Sequence, residues 1–162
     1  MTANNTIKKL CLLHGSWRGT GKGAYPTITP FEYEEHLRFD VDLAYPIIHY
    51  EQKTVLLPDR QPSHWESGFI RVLESGAIEI SNSQDSGRVE VLRGFMNLET
   101  LAEDELLIEF NHVVIGNDPR LVQTRRIFSL RGDILRYQKF MSTHTTPQPK
   151  LQQHLEAVLR KV

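Results

Sequence analysis

Seven histidines are the residues of this 162-residue sequence with the clearest potential for metal or cofactor chemistry. They form no H-E-x-x-H motif and no His-x-His pair, so their spacing gives little support to a zinc or non-haem iron site. Two have more informative surroundings, since His64 lies where a strand-like segment begins and His154 lies near the end of the chain. Because imidazole is a common axial ligand of haem iron, these two histidines could face a flat cofactor. The remaining five are predicted to be structural or solvated, namely His14, His36, His49, His112 and His144.

The glycine-rich segment at 15–28 invites comparison with phosphate-binding loops, but it matches neither of two such loops. A Walker A loop ends in Gly-Lys-Ser/Thr, whereas Gly21 and Lys22 are followed by Gly23. A dinucleotide-binding loop opens a helix, whereas Pro26 biases its neighbour away from helical backbone. We therefore expect a kinked or bulged strand at a barrel corner, where alternating glycines let two backbones approach closely.

The composition indicates one globular domain with no electrostatic preference for polyanions. The sequence has 19 Lys+Arg and 20 Asp+Glu and a formal net charge of −1, so neither nucleic acid nor an acidic membrane is an expected partner. The single cysteine, Cys11, cannot form an internal disulfide, and no apolar run approaches the length of a membrane span. We predict a cytoplasmic protein with one domain over residues 1–162, in which residues 1–8 form a loose tail.

Apolar and polar residues alternate with a period of two, which is typical of half-buried strands. Residues 105–115 (ELLIEFNHVVI) show this pattern, and residues 124–130 and 134–141 are two more extended runs separated by a glycine-containing turn. Such runs recur about every 8–15 residues, so the sequence predicts an all-β antiparallel sandwich or barrel. Two segments stay ambiguous, because residues 30–37 and 151–162 fit either a helix or a strand.

Motifs along almost the whole chain resemble those of the nitrobindin family. These are haem-binding β-barrels that also form the C-terminal domain of a human THAP-type zinc-finger protein. The most specific motif is G-x-W-x-G-x-G-x-G-x-Y-P-T-I at 15–28, which begins with Gly15, Trp17, Gly19 and Gly21. The others include F-x-Y-x-E at 31–35, P-x-H-x-E-x-G-F-x-R at 62–71, R-x-F-x-L-x-G-D-x-L-x-Y at 126–137 and H-L-x-A-x-L-x-K at 154–161.

The resemblance implies a fold, a cofactor and an activity. The implied fold is one antiparallel up-and-down β-barrel, similar to fatty-acid-binding proteins and lipocalins, with few short helical segments. The implied cofactor is ferric haem b, held through a single axial histidine that is His154 by position. His64 would then lie on the distal side, and Thr27 and Ile28 would flank the haem. The implied activity is isomerisation of peroxynitrite to nitrate with reversible binding of nitric oxide, and we expect a monomer or homodimer.

The sequence departs from the family pattern in two places. The run at 40–45 lacks the histidine and glycine that the family usually carries there, and the link at 142–153 is longer than usual. His144 lies in this longer link and is the second candidate for the axial ligand. The alternative function is that of a non-enzymatic carrier, in which the same barrel binds a fatty acid or another small apolar molecule.

Overall fold

The computed structural model describes residues 3–42 and 44–162, which form a closed barrel of ten antiparallel strands. Each strand pairs with its sequence neighbours, and pairing of the first strand with the last closes the barrel. The predicted up-and-down barrel is therefore confirmed, and the sandwich is excluded. The elements are α1 (Ala3–Leu10), a 3-10 turn (Cys11–Leu13), β1 (Gly15–Tyr25), β2 (Ile28–Asp42), β3 (Ile47–Leu56), β4 (Pro62–Val72), β5 (Ile78–Gln84), β6 (Val89–Phe95), β7 (Glu105–Gly116), β8 (Leu121–Arg131), β9 (Ile134–Thr143) and β10 (Gln152–Lys161).

The period-two alternation determines which face of each strand is buried. In β7, for example, Leu106 and Ile108 are buried in the barrel interior, whereas Leu107 between them points outward and is exposed. Both ambiguous segments are strands: residues 30–37 lie within β2, and most of 151–162 forms β10. Each of these two strands has a hydrogen-bonded neighbour on both sides, which a helix could not provide at these positions.

Helix α1 closes one end of the barrel, which we call the lower end. Ile7, Leu10 and Leu13 are buried against the inward side chains of the strands. The Trp17 indole Nε1 donates a hydrogen bond to the Leu13 carbonyl at 2.7 Å, which ties the helical segment to β1. In the described part of the chain, no helix is long and apolar enough to cross a membrane.

The predicted loose tail at residues 1–8 is wrong for its described part. Residues 3–8 belong to helix α1, while Met1 and Thr2 lie outside the described residues. Ile7 and Leu10 are three positions apart, so a helix places them on one face and that face is buried by the barrel. The sequence prediction failed because a helix of eight residues draws its stability from packing rather than from its own propensity.

A layer of inward-pointing polar side chains, which we call the polar belt, crosses the middle of the barrel. Each member lies on the same strand face as the apolar residues of the lower core, but nearer to the opposite, upper end. The belt lies between an apolar lower core and a cavity at the upper end, and Leu37 and Phe128 of that core also line the cavity. Its members are Glu35, Gln52, Glu66, Glu90, Thr124, Arg126, Tyr137 and Lys139.

Candidate functional site

The upper end of the barrel holds a cavity of about 300 Å³ that opens between the hairpin connections. This volume lies at the lower limit of ordinary small-molecule pockets. His64, at the beginning of β4, and His154, at the beginning of β10, both line this cavity. The fold therefore brings together two histidines that are separated by 90 positions in the sequence. The upper walls carry aromatic and aliphatic side chains together with polar ones, and four members of the polar belt line the floor, namely Gln52, Arg126, Tyr137 and Lys139.

His154 occupies a β-bulge, because the pairing of β10 with β9 skips a residue between Gln153 and Leu155. The ring packs edge-on against Tyr25 and Phe31, with ring centroids 5.9 and 6.4 Å away. Nδ1 lies 3.2 Å from the carbonyl oxygen of Ala24 and must donate to it. Nε2 is then the unprotonated nitrogen, and its lone pair has no hydrogen-bond partner among the described residues.

The environment of His154 keeps its imidazole neutral. Burial lowers its pKa from the ordinary value of 6.5; the bond to Ala24 opposes this shift, and the nearby cations Lys139 and Arg88 add to it. A neutral imidazole with a fixed tautomer and a free Nε2 is the form in which histidine binds a metal. His154 is therefore the better metal ligand of the two cavity histidines.

His64 is held by carboxylates instead. Its Nε2 lies 3.0 Å from Oε2 of Glu66, and its Nδ1 lies 3.6 Å from Oδ1 of Asp85. Burial raises the pKa of Glu66, but Arg126, His64 and Lys139 outweigh burial and hold that pKa well below its ordinary value. Glu66 is thus an ionised acceptor, so His64 donates its Nε2 proton to it. That nitrogen is engaged and is not available to a metal.

The glycines of β1 make room for the aromatic wall of the cavity. A Cβ added at Gly21 would lie 2.3 Å from Cζ of Tyr33, and one added at Gly23 would lie 2.2 Å from Cζ of Phe31. Only a strand without side chains at these positions lets both rings lie against its backbone. Because Phe31 also packs against His154, the glycine-rich segment acts on the histidine through this ring.

The remaining predicted residues are placed as follows. Thr27 lies in the two-residue turn between β1 and β2, and Ile28 begins β2; both are exposed beside the mouth and outside the cavity wall. His144 is exposed in the link between β9 and β10 and also lies outside the cavity wall. A contact of Thr27 or Ile28 with a bound cofactor stays a prediction. The motif residues Gly15, Trp17, Gly19 and Gly21 all lie in β1.

The polar belt is the part of the site that sequence reasoning missed. Glu35 Oε2 accepts from the Tyr137 hydroxyl at 2.6 Å, and Glu35 Oε1 accepts from Gln52 Nε2 at 2.8 Å. Burial raises the pKa of Glu35 to about 8, although the bonds from Tyr137 and Gln52 oppose this shift. The sequence carried one signal for the belt, namely a polar group at a position where the alternation predicts an apolar side chain. Glu35 shares its strand face with Leu37, and Tyr137 shares its strand face with Leu135.

Comparisons with known proteins agree with this geometry. The sequence profile of the THAP4-like, haem-binding β-barrel domain matches residues 6–161. A protein from Arabidopsis thaliana named peroxynitrite isomerase Rv2717c is 40% identical over 156 residues, which cover 96% of this chain and 89% of that protein. A peroxynitrite isomerase from Mycobacterium leprae is 36% identical over 158 residues, covering 96% and 94% of the two chains. The crystal structure of Rv2717c from M. tuberculosis has a TM-score of 0.86 and 33% identity, with 97% of each chain covered.

Proposed function

Because this chain belongs to the family of THAP4-like, haem-binding β-barrel domains, we propose that it binds ferric haem b and isomerises peroxynitrite to nitrate. The observation that carries the proposal is the neutral His154, which lines the upper cavity and whose Nε2 has no hydrogen-bond partner in the part of the chain that the structure describes. The related proteins named peroxynitrite isomerase supply the reaction. The cavity supplies the place for it.

The residues of the cavity fit a haem. Haem brings its own four equatorial nitrogens, so the protein needs to offer one axial nitrogen and an apolar wall. His154 would provide the axial nitrogen, and Phe31, Met141 and Leu155 line the cavity as apolar neighbours. The hydrogen bond from Nδ1 to Ala24 holds the ligand ring in one tautomer, as outer partners of metal-bound histidines commonly do.

A ferric haem supplies, when bound, a Lewis acid for the oxygens of peroxynitrite. Arg126 and Lys139 both line the cavity and could donate hydrogen bonds to an anionic substrate, while Glu66 and Glu90 balance their charge. His64 is fixed at the cavity wall by Glu66, to which it donates its Nε2 proton, so it shapes the wall on this side of the cavity. We also propose reversible binding of nitric oxide, because His154 would hold the haem while Nε2 of the other cavity histidine, His64, is engaged by Glu66 and would not compete with a small ligand.

Titration of the purified protein with haemin tests the proposal. We expect a Soret band and ferric high-spin features in the wild type, and catalysis of peroxynitrite decay to nitrate. His154→Ala should lower haemin affinity at least tenfold and change the spectrum, because the axial nitrogen is lost. The matched control is His144→Ala, which removes an exposed histidine from the neighbouring link and should leave both unchanged.

Two outcomes would contradict the proposal. An unaltered haem spectrum and affinity in His154→Ala would reject the axial assignment. A native mass spectrum in which the purified chain retains an apolar lipid and takes up no haemin would favour the alternative of a non-enzymatic carrier.

A further inference from the structure

The hydroxyl of Tyr137 lies in a buried chain of hydrogen bonds at the cavity floor. It donates to Glu35 Oε2 at 2.6 Å, and the Tyr33 hydroxyl lies 2.8 Å away on its other side. Gln52 Nε2 donates to Glu35 at 2.8 Å and to the Tyr137 oxygen at 3.1 Å. Tyr33, Gln52 and Tyr137 line the cavity, whereas Glu35 lies behind them and is 1% exposed.

A carboxylate is a costly choice for position 35. A glutamine there would avoid the burial of an ionisable group, but it has one acceptor oxygen, whereas Oε2 and Oε1 of Glu35 accept separately from Tyr137 and Gln52. The carboxylate can accept both bonds, and it can also take up a proton. The proton closest to the Glu35 carboxylate is the phenolic proton of Tyr137, which lies in the 2.6 Å hydrogen bond between the two side chains. Glu35 is therefore a base placed next to the phenol of Tyr137, and oxidation of that phenol requires the loss of its hydroxyl proton.

We propose that Tyr137 is an internal one-electron donor of the cavity, with Glu35 as its proton acceptor and Tyr33 as a second carrier. The oxidant is nitrogen dioxide, a one-electron oxidant formed when the O–O bond of peroxynitrite breaks homolytically. This source rests on the proposed function. One electron leaves Tyr137 and reduces nitrogen dioxide to nitrite, while the phenolic proton moves to Glu35. A hydrogen atom from the Tyr33 hydroxyl then restores Tyr137 and leaves a neutral radical on Tyr33.

The tyrosyl radical is consumed in a second step, which is also balanced. A second nitrogen dioxide combines with the ring of a tyrosyl radical, and a shift of the ring hydrogen to the oxygen gives 3-nitrotyrosine. The pair would thus consume radicals that escape from the reaction in the cavity. The stable product marks the tyrosine on which the radical resided.

Tyr50 provides a comparison within the same cavity. It is buried, lines the cavity, and donates to a carboxylate, Glu66 Oε1, at 2.7 Å. However, both oxygens of Glu66 also accept from the Arg126 guanidinium, and Oε2 accepts from His64. A proton added to Glu66 would disrupt these bonds, so Glu66 is a poor proton acceptor. The structure therefore distinguishes Tyr137 from Tyr50, although both phenols have a carboxylate partner.

The protonation state of Glu35 sets the pH dependence of the step. The charged groups that influence its carboxyl are Glu66 on β4 and Arg126 on β8, and its titratable neighbours are Tyr33 and Tyr137. Because burial raises the pKa of Glu35 to about 8, the carboxylate that accepts the proton is a minority form at pH 7 and the main form at pH 9. Oxidation of Tyr137 should increase over this range.

The test supplies nitrogen dioxide from outside by pulse radiolysis of nitrite solutions, using the full chain in the presence of haemin. Nitrated tyrosines are located by peptide mass spectrometry at pH 7 and pH 9. We expect nitration on Tyr137 and Tyr33 to exceed that on Tyr45, although Tyr45 is 76% exposed. Glu35→Gln should reduce the yield on this pair at least about tenfold and remove its pH dependence, because a proton acceptor in general contributes that much or more.

Tyr50→Phe is the matched control, since it removes a buried, carboxylate-bonded phenol of the same cavity and should leave nitration of Tyr137 unchanged. Nitration concentrated on Tyr45 would overturn the proposal, as would an equal yield in the wild type and Glu35→Gln. Since the radical is supplied externally, a failure of peroxynitrite isomerisation would not by itself produce either result. The wild-type map alone decides the matter if a variant fails to fold.

Discussion

Glu35 makes the stability of the protein depend on pH in an unusual direction. Burial raises its folded-state pKa to about 8 from an ordinary 4.5, so the folded chain holds this proton more tightly than the unfolded chain. The associated stability is fully present below pH 4.5 and is lost as the pH rises through 8. Glu35→Gln removes this dependence. We expect the free energy of unfolding of the variant, minus that of the wild type, to increase by several kcal/mol from pH 5 to pH 8, at about 1.4 kcal/mol per pKa unit.

Urea unfolding of both proteins at a series of pH values provides the measurement. Taking the difference between variant and wild type cancels the other titrating groups, including His154, whose pKa is lowered. The matched control is Glu74→Gln, because Glu74 is exposed and its replacement should give a flat difference. A flat difference for Glu35→Gln as well would show that its carboxyl is not buried as the structure describes.

Sequence reasoning found the two cavity histidines, but not the groups that define their states. His64 and His154 stood out from the other five histidines because of their surroundings and because both lie in motifs that resemble the family. The tautomer of His154 depends on the carbonyl of Ala24, which is 130 positions away and belongs to another strand. In the same way, the partners of Glu35 come from β3 and β9, and no local pattern shows that they meet. Long-range pairing in a barrel determines such contacts.

At the scale of elements, β1 shapes the cavity because its glycines have no side chains. The three atoms nearest to a Cβ at Gly23 would all belong to the ring of Phe31, at 2.2 to 2.7 Å. We therefore expect Gly23→Ala to push this ring away from its position beside His154. The variant should lose about 1–3 kcal/mol of stability, as overpacked sites generally do. It should also bind haemin more weakly.

A double-mutant cycle with Phe31→Leu tests this steric explanation. If the ring is the obstacle, Gly23→Ala should cost less in the Phe31→Leu background than in the wild type, as measured by urea unfolding and haemin titration. Lys22→Ala on the same strand is a control that changes an exposed neighbour. Additive effects of the two substitutions would mean that the glycine serves the backbone of β1 rather than the ring.

The strands themselves were largely predictable, because a period of two is visible in a single sequence. Strand β7 follows its alternation from Glu105 to His112, after which Val113 and Val114 are both exposed. Strand β10 was ambiguous for a physical reason: its bulge at His154 breaks the alternation, so its apolar residues fit two periods. The same bulge turns His154 toward the cavity, so the feature that obscured the strand also forms the site. Helix α1 was missed because its stability comes from the barrel that it closes.

For the whole molecule, the barrel divides into a lower end that carries stability and an upper end that carries chemistry. The lower end is plugged by Leu10 and Leu13 and filled with apolar side chains. The upper end holds the cavity and its two histidines. The polar belt lies between them, and four of its members form part of the cavity lining, so a change at one end reaches the other only through closely packed side chains and strands. Substitutions at the two ends should therefore have separable effects.

A comparison of the variants Leu10→Ala and His154→Ala tests this separation. Leu10 is 0% exposed, and truncating such a residue leaves a cavity that in general costs 2–5 kcal/mol, so we expect about that loss in urea unfolding. The haem spectrum and haemin affinity of folded Leu10→Ala should match the wild type, because Leu10 does not line the upper cavity and only Phe128 lines both that cavity and the space beside Leu10 and Leu13 among the described residues. His154→Ala should show the reverse, with loss of the haem spectrum and little change in the stability of the haem-free chain. Leu12→Ala, at a half-buried neighbour, should cost less than Leu10→Ala. A changed haem spectrum in folded Leu10→Ala would mean that the two ends are coupled through the polar belt.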